Sequence, residues 1–148
     1  MMRAFVFPGQ GSQAIGMGKE LADAFPEARL VFEEVDETLK QNLSKVMFEG
    51  PEDQLRLTAN AQPALMAMSV AIVRIIEKEG NVTLPDMASF VAGHSLGEYS
   101  ALAAAGALSL ADTASLLKLR GTTMQLAVPV GEGAMAALMG PTVEETEE

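Results

Sequence analysis

A serine between two glycines is the feature of this sequence best suited to chemistry. Ser95 lies in the string GHSLG, in which Gly93 and Gly97 allow a tight reversal of the chain without a clash of Cβ atoms. A short apolar run precedes the string, and a helix-forming run follows it at residues 98–105. Strand, turn and helix in this order are typical of a nucleophile elbow, which presents its hydroxyl instead of packing it. The pattern therefore predicts Ser95 as the nucleophile of an acyl transfer reaction.

Backbone amides at the same turn meet the second requirement of acyl transfer, the stabilisation of a tetrahedral oxyanion. The first amide after the nucleophile belongs to Leu96, and the N-terminus of the following helix points toward the same place. Glycines around a serine also occur in flexible loops, so the string alone leaves both interpretations open. The strand and helix signals on its two sides favour the elbow.

The general base that a serine nucleophile needs is not evident. His94 is the only histidine in the chain, and it directly precedes Ser95. Neighbouring side chains on an elbow diverge, so we interpret His94 as a structural residue and not as the base. The isolated histidine also has no companion with metal-ligand spacing, and we predict no metal site.

The N-terminal segment predicts a buried first parallel strand at residues 4–7 and a glycine-rich loop at residues 9–18. From Gly9 the loop also satisfies the relaxed dinucleotide fingerprint G-x-G-x-x-A. Pro8 and the further glycines favour an extended loop over immediate entry into a helix. No clean second strand ends in an acidic residue at the expected distance, so we expect no nicotinamide cofactor.

Helical patterns dominate the rest of the chain. The apolar helix that ends before Gly80 is expected in the core, where its methionines fill gaps. Later in the chain, Ser109 and Asp112 have capping-box spacing, as do Thr142 and Glu145. The predicted elements are helices at residues 19–25, 27–39, 63–79 and 110–126, a loop leading to residues 50–51, an elbow strand at residues 88–92 and a new strand at residues 134–139.

Composition narrows the class of protein. The 148 residues are 49% hydrophobic and suffice for one domain or part of one. A formal charge of −10, with the basic residues scattered singly, argues against nucleic acid binding. The absence of cysteine excludes disulfides, thiolate zinc sites and a cysteine nucleophile. With no charged leader and no early apolar span, we expect a cytoplasmic protein that does not enter a membrane.

Three strings together carry a resemblance to a known family. They are GHSLGEYSA at residues 93–101, FVFPGQGSQ at residues 5–13, and LRG with MQ within residues 119–125. The chain closely resembles the malonyl-CoA:acyl carrier protein transacylases along essentially all of its residues. The resemblance corresponds only to about the first half of such an enzyme. It implies an α/β fold with an α/β hydrolase-like parallel sheet and flanking helices.

The resemblance also implies a role for each motif. Ser95 would accept the malonyl group of malonyl-CoA and pass it to the phosphopantetheine thiol of acyl carrier protein, in fatty acid biosynthesis. The amide of Gln10 would complete the oxyanion hole with that of Leu96. Arg120 would hold the malonyl carboxylate, although without the resemblance it is an ordinary solvated arginine. The catalytic histidine of the family would lie in the half that this chain lacks.

The same resemblance divides the chain into two parts. Residues 1–129 would form the N-terminal part of the hydrolase-like subdomain, and residues 130–148 the incomplete start of a small ferredoxin-like subdomain. The parent enzyme is expected to be monomeric and to need no cofactor. A polyketide synthase acyltransferase domain is a close variant. The alternatives are a serine esterase or thioesterase, and a non-catalytic fragment that only binds acyl-CoA.

Overall fold

The chain forms a small parallel sheet surrounded by helices. The structure, a computed structural model, describes residues 2–129, 131–133, 138, 140–142 and 145–146. The elements in chain order are β1 (Ala4–Phe7), α1 (Lys19–Ala24), α2 (Pro26–Leu39), α3 (Leu43–Glu49), α4 (Glu52–Arg56), α5 (Thr58–Gly80), α6 (Leu84–Met87), β2 (Phe90–Gly93), α7 (Leu96–Ala104) and α8 (Leu110–Ala127).

β1 and β2 pair in parallel, with Phe7 opposite Gly93. Both strands therefore end at the same edge, which places the loop after β1 beside the elbow after β2. One face of the sheet packs on α5 and α7 through Phe7, while the opposite face is open. The prediction of a buried first strand is wrong in this respect, because Val6 is 74% exposed. No described element covers the outer face, and only inward side chains are buried.

α5 is the central helix. It begins at Thr58, five residues before the predicted start at Pro63, which lies inside the helix. Proline favours the first turn of a helix, so the sequence suggested a start there. Packing against α8 stabilises the additional turn, since Ala61 and Gln62 are completely buried.

α5 is also long and apolar enough to cross a membrane by length and composition, with a mean hydropathy of 1.4 in its most apolar window. Most of that window, 61%, is buried against the rest of the protein. Met66 is completely buried, and Met68 packs partly buried against the core. These contacts confirm the predicted core helix, although Ile72 of the same run is 40% exposed.

Two short helices were not predicted from the sequence, and the first of them, α3, lies in the predicted loop that leads to residues 50–51. α3 buries Leu43 and Met47, four residues apart on one face, and Asp36 accepts a hydrogen bond from the Ser44 amide at 2.8 Å. α6 begins after Thr83, whose side chain forms a capping box with Asp86. Both are too short for helical periodicity to show in the sequence.

The C-terminal predictions mostly fall outside the described residues. Of the strand predicted at residues 134–139, only residue 138 is among the described residues, so the structure does not test this strand. Thr142 and Glu145 exchange hydrogen bonds of 2.8 and 3.3 Å, as expected of the predicted capping box. The boundary between residues 129 and 130 stays a prediction.

Candidate active site

The elbow at Ser95 has the backbone that its sequence predicts. Ser95 has φ 56° and ψ −118°, a left-handed conformation that is strained for a residue with a Cβ atom. A Cβ atom on Gly93 would lie 2.0 Å from the Gly97 carbonyl carbon. On Gly97 it would lie 2.3 Å from the Phe7 carbonyl oxygen. Both glycines are therefore required for α7 to start directly against the sheet.

Backbone hydrogen bonds close the turn and connect it to β1. The His94 amide donates to the Phe7 carbonyl at 3.2 Å, and the Gly97 amide donates to the His94 carbonyl at 2.9 Å. The Ser95 carbonyl accepts from the Glu98 amide at 3.1 Å. The strained conformation is thus held on both sides, and the Ser95 residue stays exposed.

His94 lies against the loop after β1. A Cβ atom on Gly9 would be 2.6 Å from the His94 Nδ1 atom, so the imidazole ring occupies the space beside this glycine. Among the described residues, no hydrogen bond joins the His94 ring to Ser95. This placement fits the interpretation of His94 as a residue that packs the loop against the elbow.

Arg120 comes from a different helix and reaches the nucleophile. Its Nη2 atom donates to the Ser95 Oγ atom at 3.0 Å, and its guanidinium carbon lies 5.9 Å from the centroid of the Tyr99 ring. The arginine is half-buried. The structure therefore brings together the two side chains that the sequence singled out for nucleophilic attack and carboxylate binding.

Gln62 is a site residue that the sequence analysis missed. Its Oε1 atom accepts a hydrogen bond from Arg120 Nη1 at 2.6 Å, and its Nε2 atom donates to the Met124 Sδ atom at 3.3 Å. The side chain is completely buried. A single glutamine inside an apolar helical run was the available signal, because a buried polar side chain requires partners.

A close contact between α5 and α8 sets the position of Arg120. A Cβ atom on Gly121 would lie 2.6 Å from the Thr58 carbonyl oxygen and 2.7 Å from the Ala59 Cα atom. The backbones of the two helices therefore touch at Gly121, immediately after Arg120. This proximity brings the guanidinium within reach of Gln62.

The two amides predicted for the oxyanion hole follow β1 and β2, which end at the same edge of the sheet. Leu96 starts α7, and its buried side chain anchors that end of the helix. Gln10 follows Gly9 on the loop that His94 contacts, and its side chain donates to Thr58 Oγ1 at 3.3 Å. Within the described part of the chain, neither amide donates a hydrogen bond to another residue. The role of these two amides in an oxyanion hole stays a prediction.

A second polar cluster lies on another face of α8. Lys118 Nζ donates to Gln41 Oε1 at 2.7 Å and to Asn60 Oδ1 at 2.9 Å. Burial lowers the pKa of Lys118, because the charged ammonium loses water without gaining a carboxylate. Neither Ser95 nor Arg120 takes part in this cluster, which connects α8 to α5 and to the loop after α2.

A cavity borders the site, and Ser95 is not among the residues that line it. It is a cleft of about 710 Å³ between the start of α5 and the end of α8. Thr58 and Met124 are among the residues that line it. Thr58 also contacts Gln10, and Met124 contacts Gln62. Met124 thus connects this cleft to Arg120 through Gln62.

Comparison with known proteins gives consistent matches along the chain. Residues 4–148 match the model of the acyl transferase domain. A malonyl CoA-acyl carrier protein transacylase of Bacillus subtilis is 56% identical over 141 residues, which are 95% of this chain. The chain spans 43% of that relative's length.

Solved structures agree with this match. The crystal structure of an acyl-carrier-protein-S-malonyltransferase from Bartonella henselae is 60% identical, with a TM-score of 0.92 over 99% of this chain and 46% of that one. A type II PKS acyl-carrier protein in complex with its malonyl-transacylase matches at 46% identity and a TM-score of 0.80, over 87% of this chain and 40% of that one. The domain match, the relatives and the elbow agree, and this chain belongs to the acyl transferase domain family.

Proposed function

We propose that this chain carries the nucleophile and the acyl-carboxylate site of a malonyl-CoA:acyl carrier protein transacylase. The observation that supports this function most directly is the 3.0 Å contact between Ser95 Oγ and Arg120 Nη2. A malonyl ester on Ser95 has one methylene group between its carbonyl carbon and its carboxylate. The carboxylate of such an ester can reach the adjacent guanidinium, whereas an acetyl ester offers it nothing.

In the proposed reaction, the Ser95 oxygen attacks the thioester carbonyl of malonyl-CoA. A C–O bond forms, the C–S bond breaks, and the hydroxyl proton leaves through a base to the departing CoA thiolate. The amides of Leu96 and Gln10 stabilise the tetrahedral oxyanion. The phosphopantetheine thiol of acyl carrier protein then attacks the acyl-serine and releases the serine hydroxyl.

We assign no residue of this chain as the general base. His94 is the only histidine, and its ring packs on Gly9 without bonding to Ser95 in the described residues. The proposal assigns the catalytic histidine to the portion of the relatives that this chain does not span. We therefore expect both the acylation of Ser95 and the transfer to the second thiol to be slow.

The proposals on location, cofactors, assembly and subdomains are based on the resemblance to the family. In this proposal, the complete enzyme acts in the cytoplasm in fatty acid biosynthesis, needs no cofactor or metal, and is a monomer. Its sheet is part of an α/β hydrolase-like subdomain at residues 1–129, and a ferredoxin-like subdomain begins at residues 130–148. A relative solved as a complex with an acyl-carrier protein supports that protein as the partner.

An esterase or thioesterase would use the same elbow but transfer the acyl group to water. It would have no use for a guanidinium directed at the nucleophile. The position of Arg120 therefore favours the transacylase. A fragment that only binds acyl-CoA is the outcome expected if the missing base is indispensable for the first step.

Intact-mass measurement of the purified chain before and after malonyl-CoA tests this function. We expect a malonyl adduct on the wild-type chain, much less adduct with acetyl-CoA, and none on Ser95→Ala. An adduct that persists in Ser95→Ala would refute the assignment of the nucleophile. A folded wild-type chain that never acquires an adduct would limit its function to binding.

A further inference from the structure

We propose that Gln62 is the positioning residue of Arg120, and that it acts through a neutral acceptor so that the full guanidinium charge remains available to an anionic acyl group. This inference rests on the proposed function and identifies a residue that determines acyl selectivity at the same site. Its basis is a chain of contacts that runs from Met124 through Gln62 and Arg120 to Ser95.

The two terminal nitrogens of Arg120 have separate partners. Nη1 donates to Gln62 at 2.6 Å, and Nη2 donates to Ser95 at 3.0 Å. A guanidinium is planar, so fixing one terminal nitrogen limits the positions open to the other. Gln62 is buried and Ser95 is exposed, so the bond to Gln62 sets the orientation of the guanidinium toward Ser95.

Gln62 is well suited to this task because its surroundings restrict its side chain. It is completely buried, and its amide nitrogen donates to the Met124 Sδ atom at 3.3 Å. α5, which carries Gln62, touches α8 at Gly121, the residue after Arg120. The acceptor oxygen of Gln62 is thus fixed by packing, by a hydrogen bond and by the helix contact.

The neutrality of Gln62 has a chemical consequence. A carboxylate at this position would form a stronger bond to Arg120, but it would also neutralise the charge that a substrate carboxylate seeks. The ion pairs among the described residues are Lys19–Asp23, Arg56–Glu52 and Arg74–Glu77, and none includes Arg120. In the part of the chain that the structure describes, the partners of Arg120 are an amide, a hydroxyl and the face of the Tyr99 ring, and no carboxylate there compensates its charge.

Binding of CoA esters to a chain that cannot react provides the test. In a Ser95→Ala background, isothermal titration calorimetry would measure the affinities for malonyl-CoA and acetyl-CoA, and their ratio reports the contribution of the acyl carboxylate. Gln62→Glu has the same shape and supplies an internal carboxylate. We expect it to lower malonyl-CoA affinity by roughly tenfold to a hundredfold, the range of a charge-assisted hydrogen bond, with acetyl-CoA affinity unchanged.

Two further variants separate positioning from stability. Gln62→Met has a side chain of similar volume and leaves the charge of Arg120 uncompensated, but it removes the oxygen that accepts the hydrogen bond. The ratio of malonyl-CoA to acetyl-CoA affinity should therefore fall by less than in Gln62→Glu. Gln41→Glu introduces the same change beside Lys118, the cation of the second polar cluster, and should leave the ratio unchanged. If Gln62→Glu does not fold, Gln62→Met alone decides the question.

Each result supports or overturns the inference. Equal losses for both esters, or an unchanged ratio in the Gln62 variants, would mean that Gln62 is only a packing residue. Equal binding of malonyl-CoA and acetyl-CoA by the chain with Ser95→Ala alone, with no change on adding Arg120→Ala, is a further outcome. That result would refute the proposed function and this inference together. A ratio that depends on Arg120 but not on Gln62 would refute the inference alone.

Discussion

The chemistry proposed for this chain depends on side chains that are distant in sequence but touch at one hydroxyl. Ser95 is exposed by a strained turn, and Arg120 reaches it from α8 at 3.0 Å. The arginine carries an uncompensated charge within the described residues, in partly buried surroundings. Such a group binds a carboxylate strongly and binds a neutral acyl group poorly.

At the residue scale, we predict that Arg120→Ala removes the preference for malonyl groups. The malonyl to acetyl ratio of Ser95 acylation should fall by roughly tenfold to a hundredfold, because one charge-assisted contact is lost. Intact-mass competition with equal concentrations of the two CoA esters measures this ratio. Arg120→Lys should recover only part of it, since an ammonium lacks the planar pair of donors. An unchanged ratio in Arg120→Ala would contradict the carboxylate role.

At the element scale, the position of the site follows from how closely helices and strands approach one another. α7 starts against the carbonyl of Phe7, and α8 touches the start of α5 at Gly121. In both places a glycine removes the one atom that would separate the backbones. The positions of these glycines in the sequence therefore determine how close Arg120 and the elbow come to each other.

We predict that Gly121→Ala destabilises the chain and weakens malonyl selectivity together. The added methyl group would lie 2.6 Å from the Thr58 carbonyl oxygen, so α8 must shift away from α5. The free energy of unfolding in urea should fall by about 1–3 kcal/mol, as for other overpacked sites. Ser115→Ala, at an exposed position of the same helix, should change it by less than about 0.5 kcal/mol. Retention of full selectivity in Gly121→Ala would show that Arg120 does not depend on this contact.

The cap of α6 should give the protein a specific response to acid. A side-chain hydrogen bond from Thr83, with a second from its backbone amide, lowers the pKa of Asp86 below its ordinary value of 3.8. A lowered pKa stabilises the folded state above the unfolded pKa, and this contribution is lost as the pH falls through the folded pKa.

Thermal unfolding should therefore differ between wild type and Asp86→Asn at neutral pH, and the difference should shrink well below pH 3.8. Thr83→Val, which removes the first of the two hydrogen bonds, should show the same trend. A difference that is independent of pH would contradict the assignment.

At the scale of the whole molecule, the described residues leave one face of the sheet uncovered. Val6 is 74% exposed and Phe90 is 61% exposed, and their strand positions place both on that face. Apolar surface of this kind promotes association. We predict that the isolated chain self-associates through this face as its concentration rises.

Analytical ultracentrifugation over a range of concentrations measures this association. The double variant Val6→Thr and Phe90→Thr keeps side chains suited to strands and should shift the equilibrium toward monomer. Leu30→Lys, at an exposed leucine on α2, should not. A wild-type chain that stays a monodisperse monomer at high concentration would contradict the prediction.

Local patterns in the sequence predicted much of this molecule. The elbow at Ser95, β1, α2 and the start of α8 at its Ser109 cap were predictable because each depends on glycines, caps and periodicity within a few residues. Arg120 was singled out only through resemblance, since nothing local distinguishes it from a solvated arginine. Gln62 was not found at all.

Tertiary structure alone decided which of these residues meet. The additional turn of α5, the exposure of Val6, and the contacts of Arg120 with Gln62 and Ser95 each depend on how distant segments pack. A local pattern can set a backbone conformation, because the atoms involved are neighbours in the chain. It cannot set a distance between helices, because that distance follows from the sum of many weak contacts across the core.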